Sequence, residues 1–184
     1  MYIMVQKSNP WLFGSLGRVF QIFVDEPMKV HYIKEIARKI ELAHTSVIKH
    51  LKSLEERGLI IREKGERFFG YRADRDNKDF LFYKKIFNLI NIKESGLLDF
   101  IIDSLYPQTA ILYGSYLRGE DIEKSDIDLF VVSKIKKRID VDKFEKILDR
   151  KIHIIIEKNL SRVNKELIGE IKNGLVLYGY MVIQ

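Results

Sequence analysis

The 184-residue chain has no cysteine, so it can form no disulfide and offers no thiolate to a metal. Any ion it binds must be held by oxygen or imidazole. No stretch reaches the roughly 18 uninterrupted apolar residues that a membrane helix needs, which leaves no membrane partner to expect. The opening MYIMVQKSNPWLFG lacks a basic start, a long apolar stretch and a small-residue cleavage site, so no signal peptide is predicted and the protein is expected in the cytoplasm. Internal repeats and low-complexity runs are absent as well. What is present is a globular composition, 46% hydrophobic and 32% charged, in a length that suits one domain or two small ones.

The net charge of +6 is unevenly placed. Residues 1–92 hold 17 Lys and Arg against 11 Asp and Glu, whereas residues 93–184 hold 15 of each. The whole excess lies in the first half, where it would attract a polyanion. A soluble surface with no such partner would also account for a charge of this size.

Apolar spacing predicts a helix from Trp11 to Val24, stopped by Asp25-Glu26-Pro27. A short extended piece, Met28 to His31, precedes a helix at about Ile33 to Ile40. A third helix, about His44 to Arg57, turns Val47, Leu51 and Leu54 to one face and closes at Gly58. Leu59 to Glu63 and Arg67 to Arg72 read as a hairpin around Lys64-Gly65-Glu66. A connecting helix is predicted at Asp79–Ile92 with Phe80, Tyr83, Ile86, Phe87 and Ile90 on its buried side. Then come a helix (Ser95–Leu105), a strand (Ala110–Tyr113), a turn and short helix (Gly114–Gly119) and a strand (Ile127–Val132). A helix (Val141–Asp149), a strand (Lys151–Ile156) and a helix (Lys165–Asn173) complete the prediction.

The run AHTSVIKHLKSLEERGLIIREKGERFFGYR resembles the recognition helix and wing of arsenic-repressor-type and MarR-type winged helix-turn-helix regulators. The resemblance implies double-stranded DNA as partner, with the helix in the major groove and the hairpin on a neighbouring groove or phosphate. With Val47, Leu51 and Leu54 inward, His44, Thr45, Ser46, Lys49, His50 and Lys52 are left to face DNA, and Lys64 and Arg67 flank the hairpin tip. Ala43 stands where such helices often carry a Ser or Thr cap, a change typically worth ~1 kcal/mol of helix stability. Two half-sites, hence a homodimer, are the usual geometry. Winged helices also serve as protein-binding modules.

The second half contains ILYGSYLRGEDIEKSDIDLFVV. This stretch resembles the signature of the polymerase-beta-like nucleotidyltransferases, closest to the minimal prokaryotic ones, some of which are antitoxins to small helical toxins. The likeness spans about Glu94 to Tyr180 and includes the late NGLVLYG. Asp126 and Asp128, two apart on a strand, project to one face. Neighbouring carboxylates repel unless a divalent cation lies between them, and Mg²⁺ or Mn²⁺ with a nucleoside triphosphate is the expected cofactor set. Gly114 lets the backbone approach a phosphate, and the Ser115 hydroxyl can donate to one. The resemblance adds Ser125 to the nucleotide-binding residues. Arg118 either stabilises the triphosphate or pairs with a nearby acid.

Such enzymes carry a third carboxylate on the strand after the next helix, and the matching position in KIHIIIEK is His153. Imidazole is a poor ligand for Mg²⁺, though acceptable to Mn²⁺ or Zn²⁺. Glu157, four residues on, would lie about 13 Å along the strand. The expectation is an α+β chain: a winged helix-turn-helix at residues 1–74, a connecting helix at 75–93 and a small nucleotidyltransferase fold, a mixed sheet with flanking helices, at 94–184. Two functions follow. One is a DNA-binding transcriptional regulator that binds nucleotide with turnover impaired by His153. The other is an active metal-dependent nucleotidyltransferase, acting on a protein or small molecule and antitoxin-like in its partners.

Overall fold

The computed structural model describes residues 14–65 and 68–180. The predicted start of the first helix at Trp11 and the hairpin residue Arg67 lie outside the described residues. Backbone contacts divide the chain into two units, Met1–Phe87 and Asn88–Gln184.

In the first unit, α1 (Ser15–Asp25), α2 (Ile33–Lys39) and α3 (His44–Glu56) precede an antiparallel hairpin of β1 (Ile60–Lys64) and β2 (Phe69–Ala73). A single bridge from His31 to Tyr71 adds the short extended piece to this hairpin. Val47, Leu51 and Leu54 are fully buried, as their spacing predicts. The end of α3 is set by Gly58, whose φ of +67° suits a residue without Cβ. There the Gly58 amide donates to the Glu55 carbonyl and the Leu59 amide to the Leu54 carbonyl, the paired bonds of a Schellman cap. Ala43 precedes α3 with no side-chain cap.

The next helix, α4 (Lys78–Ser95), is longer than predicted. The Asn77 side-chain oxygen Oδ1 accepts from the amides of Asp79 and Phe80 and so caps its start. Its buried face differs from the predicted apolar stripe. Phe80 and Phe87 are buried, but so are Lys84 and Asn88, while Tyr83, Ile86 and Ile90 are only partly covered. Lys84 donates from Nζ to the Val24 carbonyl at 2.6 Å and satisfies the last turn of α1. Apolar periodicity alone could not place a lysine inward, because its partner is a backbone carbonyl 60 residues away. The earlier part of α4 packs in the first unit, and Asn88 and Ile92 belong to the second.

The second unit is a four-stranded mixed sheet with flanking helices. Its strands are β3 (Thr109–Tyr113), β4 (Ile127–Val132), β5 (Ile152–Glu157) and β6 (Leu175–Gly179), in the order β5-β4-β3-β6. β3 is antiparallel to both β4 and β6, and β4 is parallel to β5. The helices are α5 (Leu97–Leu105), the short α6 (Gly114–Arg118), α7 (Asp142–Leu148) and α8 (Lys165–Lys172). All of β3 is buried, as a central strand covered on both faces must be. Ala110, Leu112 and Leu129 pack with Leu97, Ile101 and Phe144, and the alternate residues Ile111, Tyr113 and Phe130 pack with Ile171. The unpredicted element is β6. Its side chains are mostly exposed, so it carries no alternation of buried and polar residues, and it exists because backbone groups of β3 need partners.

Candidate functional site

The site grows from the junction of β3 and α6. Gly114 has φ +80°, and a Cβ there would stand 2.7 Å from the Asp128 carboxylate oxygen Oδ2. The turn thus needs glycine twice, for its left-handed backbone and for the carboxylate pressed against it. Tyr113 is the register partner of Asp128 across β3–β4, which explains the contact. Asp128 is partly buried, whereas Asp126 is exposed and stands one residue before β4 begins at Ile127. Asp126 thus stands outside the strand that the sequence reading gives it, yet its charge acts on Asp128. Beside Asp126 lies a shallow groove of about 410 Å³ whose lining includes Lys124, Ser125, Asp126, Glu145 and Lys151.

Burial pushes the Asp128 carboxyl above its ordinary value, His153 draws it down, and Asp126 and Glu170 push it up again. Tyr113 is pushed up to about 12 by burial and by the charges of Asp128 and Glu170. Three acids, Asp126, Asp128 and Glu170, therefore act on the same small volume. Among the described residues no group of three or more His, Asp and Glu side chains is arranged to hold an ion. Two protein carboxylates alone suit a cation that keeps waters and takes its remaining ligands from phosphate.

His153 lies on β5, beside β4 in the sheet. It is the register partner of Asp128 on the parallel strand β5, and its Nδ1 lies 3.5 Å from Asp128 Oδ1, with 62% of the side chain exposed. Glu157 closes β5 at the register of Val132 and pairs with Lys136 at 2.8 Å, well along the strand from Asp128.

The remaining residues of the turn divide. The Ser115 hydroxyl has no hydrogen-bond partner among the described residues, and the residue is partly exposed. The Ser125 hydroxyl accepts from the Ile122 amide at 3.0 Å and closes the turn before Asp126. Arg118 is engaged by acids, with Nε 2.7 Å from Glu120 Oε2 and Nη1 3.2 Å from Glu170 Oε2.

Two contributions escaped the sequence. Asp121 is fully buried and accepts from the Asn88 side chain at 2.8 Å, while the same Asn88 nitrogen donates to the Tyr116 carbonyl. Arg150 lies 3.7 Å from the other Asp121 oxygen. These groups anchor the loop between α6 and β4 and so position Asp126. Glu170 is the second. Nothing in the sequence links it to Arg118, 52 residues earlier.

In the first unit, His44, Thr45, Lys49 and Lys52 are exposed along α3 and Ser46 is partly so. Lys52 is 3.9 Å from Glu56. The His50 ring is instead hydrogen-bonded through Nε2 to the Ser15 hydroxyl at 2.8 Å, which ties α3 to α1. Lys64 is exposed at the hairpin end.

No curated protein and no solved structure matches the chain. Residues 95–178 match the family model described as nucleotidyltransferase domain. Gly114, both aspartates, His153 and Glu170 all fall inside that segment, so the mixed α+β sheet unit is similar to a nucleotidyltransferase domain.

Proposed function

We propose that the protein is a DNA-binding regulator whose nucleotidyltransferase domain binds a nucleoside triphosphate together with a divalent cation, with nucleotidyl transfer impaired. The observation that carries the nucleotide reading is the contact of Gly114 with Asp128, in which backbone without a side chain is held against a carboxylate beside the unpartnered Ser115 hydroxyl. A divalent cation at Asp126 and Asp128 would neutralise both and bridge to phosphate oxygens. Ser115 would donate to a phosphate, and the glycine turn admits its approach. Ser125 serves the site through the backbone, by shaping the loop that presents Asp126.

The reading of impaired transfer rests on His153. It stands at the register position of the third acid, so the carboxylate that would take the acceptor's proton is missing. Its closeness to Asp128 favours one second reading, an active transferase that uses Mn²⁺, for which imidazole is an acceptable ligand. Titration calorimetry of ATP and GTP with Mg²⁺, then Mn²⁺, then excess chelator tests both. Binding that requires the ion supports the nucleotide reading, and metal-independent binding or none overturns it. Pyrophosphate release with Mn²⁺ would favour the active transferase.

For the first unit we read three helices and a hairpin as a winged helix-turn-helix, with α3 as recognition helix. His44, Thr45, Ser46, Lys49 and Lys52 are its candidate DNA contacts, with Lys64 and Arg67 on the wing. His50 supports α3 from behind through Ser15. The exposed donors on α3 and the charge excess of this half support duplex DNA as ligand. Affinity for a duplex should fall steeply with salt, and Lys49→Ala should flatten the log–log slope by about one. Fluorescence anisotropy over a salt series measures it, and salt-independent affinity would count against DNA. A homodimer and a small helical toxin-like partner remain part of the proposal for solution studies.

A further inference from the structure

Arg118 is the cation of the signature turn, yet its guanidinium is spanned by two carboxylates. Glu120 is its neighbour in sequence. Glu170 comes from α8, 52 residues away, with an Nη1–Oε2 distance of 3.2 Å. Both side chains of the longer-range pair are about half exposed, 48% and 54%, so solvent and ligand can reach them. Carboxylate and phosphate engage a guanidinium through the same fork of N–H donors. A phosphate oxygen can therefore compete with Glu170 for the same donors. Exposed ion pairs are weak, of the order of a fivefold factor in an equilibrium or less, so this one can be exchanged.

The length of α6 bears on which phosphate would do so. Arg118 is four residues along α6 from Gly114, about 6 Å at the helical rise. A chain of phosphates that starts at Gly114, Asp126 and Asp128 has the length to reach Arg118 as well.

We propose that Glu170 is a selectivity gate for polyphosphate: its carboxylate holds Arg118 in the unliganded domain, and a nucleotide with a phosphate chain, not a monophosphate, takes its place. The proposal rests on the nucleotide-binding reading above and adds to it the residue that sets the preference. Glu170 is a positioning residue, acting on the nucleotide only through Arg118. Its charge also falls on Asp128 and Tyr113, so its withdrawal on binding would relieve the acid crowding there.

Titration calorimetry of ATP and of AMP, each with Mg²⁺, tests the gate in the full chain carrying Glu170→Gln, Arg118→Gln or both. Glu166→Gln, on the same helix, controls for net charge. Glu170→Gln is expected to tighten ATP by about two- to fivefold and leave AMP unchanged. The gain should vanish when Arg118→Gln is already present, and Glu166→Gln should not reproduce it. Unchanged or weaker ATP binding in Glu170→Gln overturns the gate while leaving the nucleotide reading intact. Equal tightening of ATP and AMP, or the same gain from Glu166→Gln, shows a general charge effect and also overturns it. If the wild-type chain and every variant bind neither nucleotide, the nucleotide reading fails and the gate with it.

Discussion

Substituting both Asp126→Ala and Asp128→Ala is expected to remove metal-dependent binding of nucleoside triphosphate, a loss of at least about 100-fold, or ~2.7 kcal/mol. The two carboxylates are the only protein oxygens proposed to hold the cation, and without them the ion keeps only water and phosphate. His153→Ala should cost far less, because imidazole contributes little to Mg²⁺. The pair of variants, titrated with ATP and Mg²⁺ and compared by circular dichroism for retained fold, separates ligand loss from unfolding. Equal losses in both would make His153 a ligand and undo the two-carboxylate site.

Proton competition adds a pH dependence to the same site. Cation binding needs Asp128 ionised, and its carboxyl is held above the ordinary value mainly by burial. Affinity for the cation should therefore start to fall at a higher pH than an unperturbed aspartate would give. The effect on folding has the opposite sign. A carboxyl whose folded pKa is raised favours the folded state when protonated, and that contribution is lost as pH rises through the folded value. Acid therefore relieves the buried charge while it empties the metal site.

Phe20→Ala is expected to destabilise the first unit by about 3–5 kcal/mol, a large part of what a small unit has. Phe20 is fully buried in α1 and meets Phe80 and Phe87 edge-to-face, with ring centroids 5.7 and 5.4 Å away. Truncation removes the apolar burial and these ring contacts, together with one to Tyr83 at 6.4 Å, and leaves a cavity among α1, α3 and α4. Hydrogen exchange read by mass spectrometry should show the loss in α1 and the first half of α4. Unchanged protection there would mean that the unit does not depend on this aromatic cluster.

Much of the architecture follows from local patterns. Val47, Leu51 and Leu54 define the inner face of α3 because a helix repeats every 3.6 residues, and Gly58 ends it because only glycine takes that turn without strain. Asp126 and Asp128 were legible as a pair of acids two residues apart, and the charge of one acts on the other. The strand that carries His153 was legible too, whereas its register with Asp128 is set by the parallel pairing of β4 and β5.

What lay beyond the sequence has a common cause. Lys84 is buried because the Val24 carbonyl is there to accept from it, and Asp121 because Asn88 and Arg150 surround it. The His50 ring is hydrogen-bonded to the Ser15 hydroxyl, 35 residues away, at 2.8 Å. β6 exists because β3 has a second edge to pair. Each is a polar group satisfied by a partner distant in sequence, and spacing along the chain carries no information about such partners. Glu170 belongs with them. The sequence by itself determined a two-part chain with paired aspartates behind a glycine turn. Only the tertiary structure decided that an acid from α8 holds the arginine of that turn, because the encounter depends on the packing of α8 against β3 and not on any local preference.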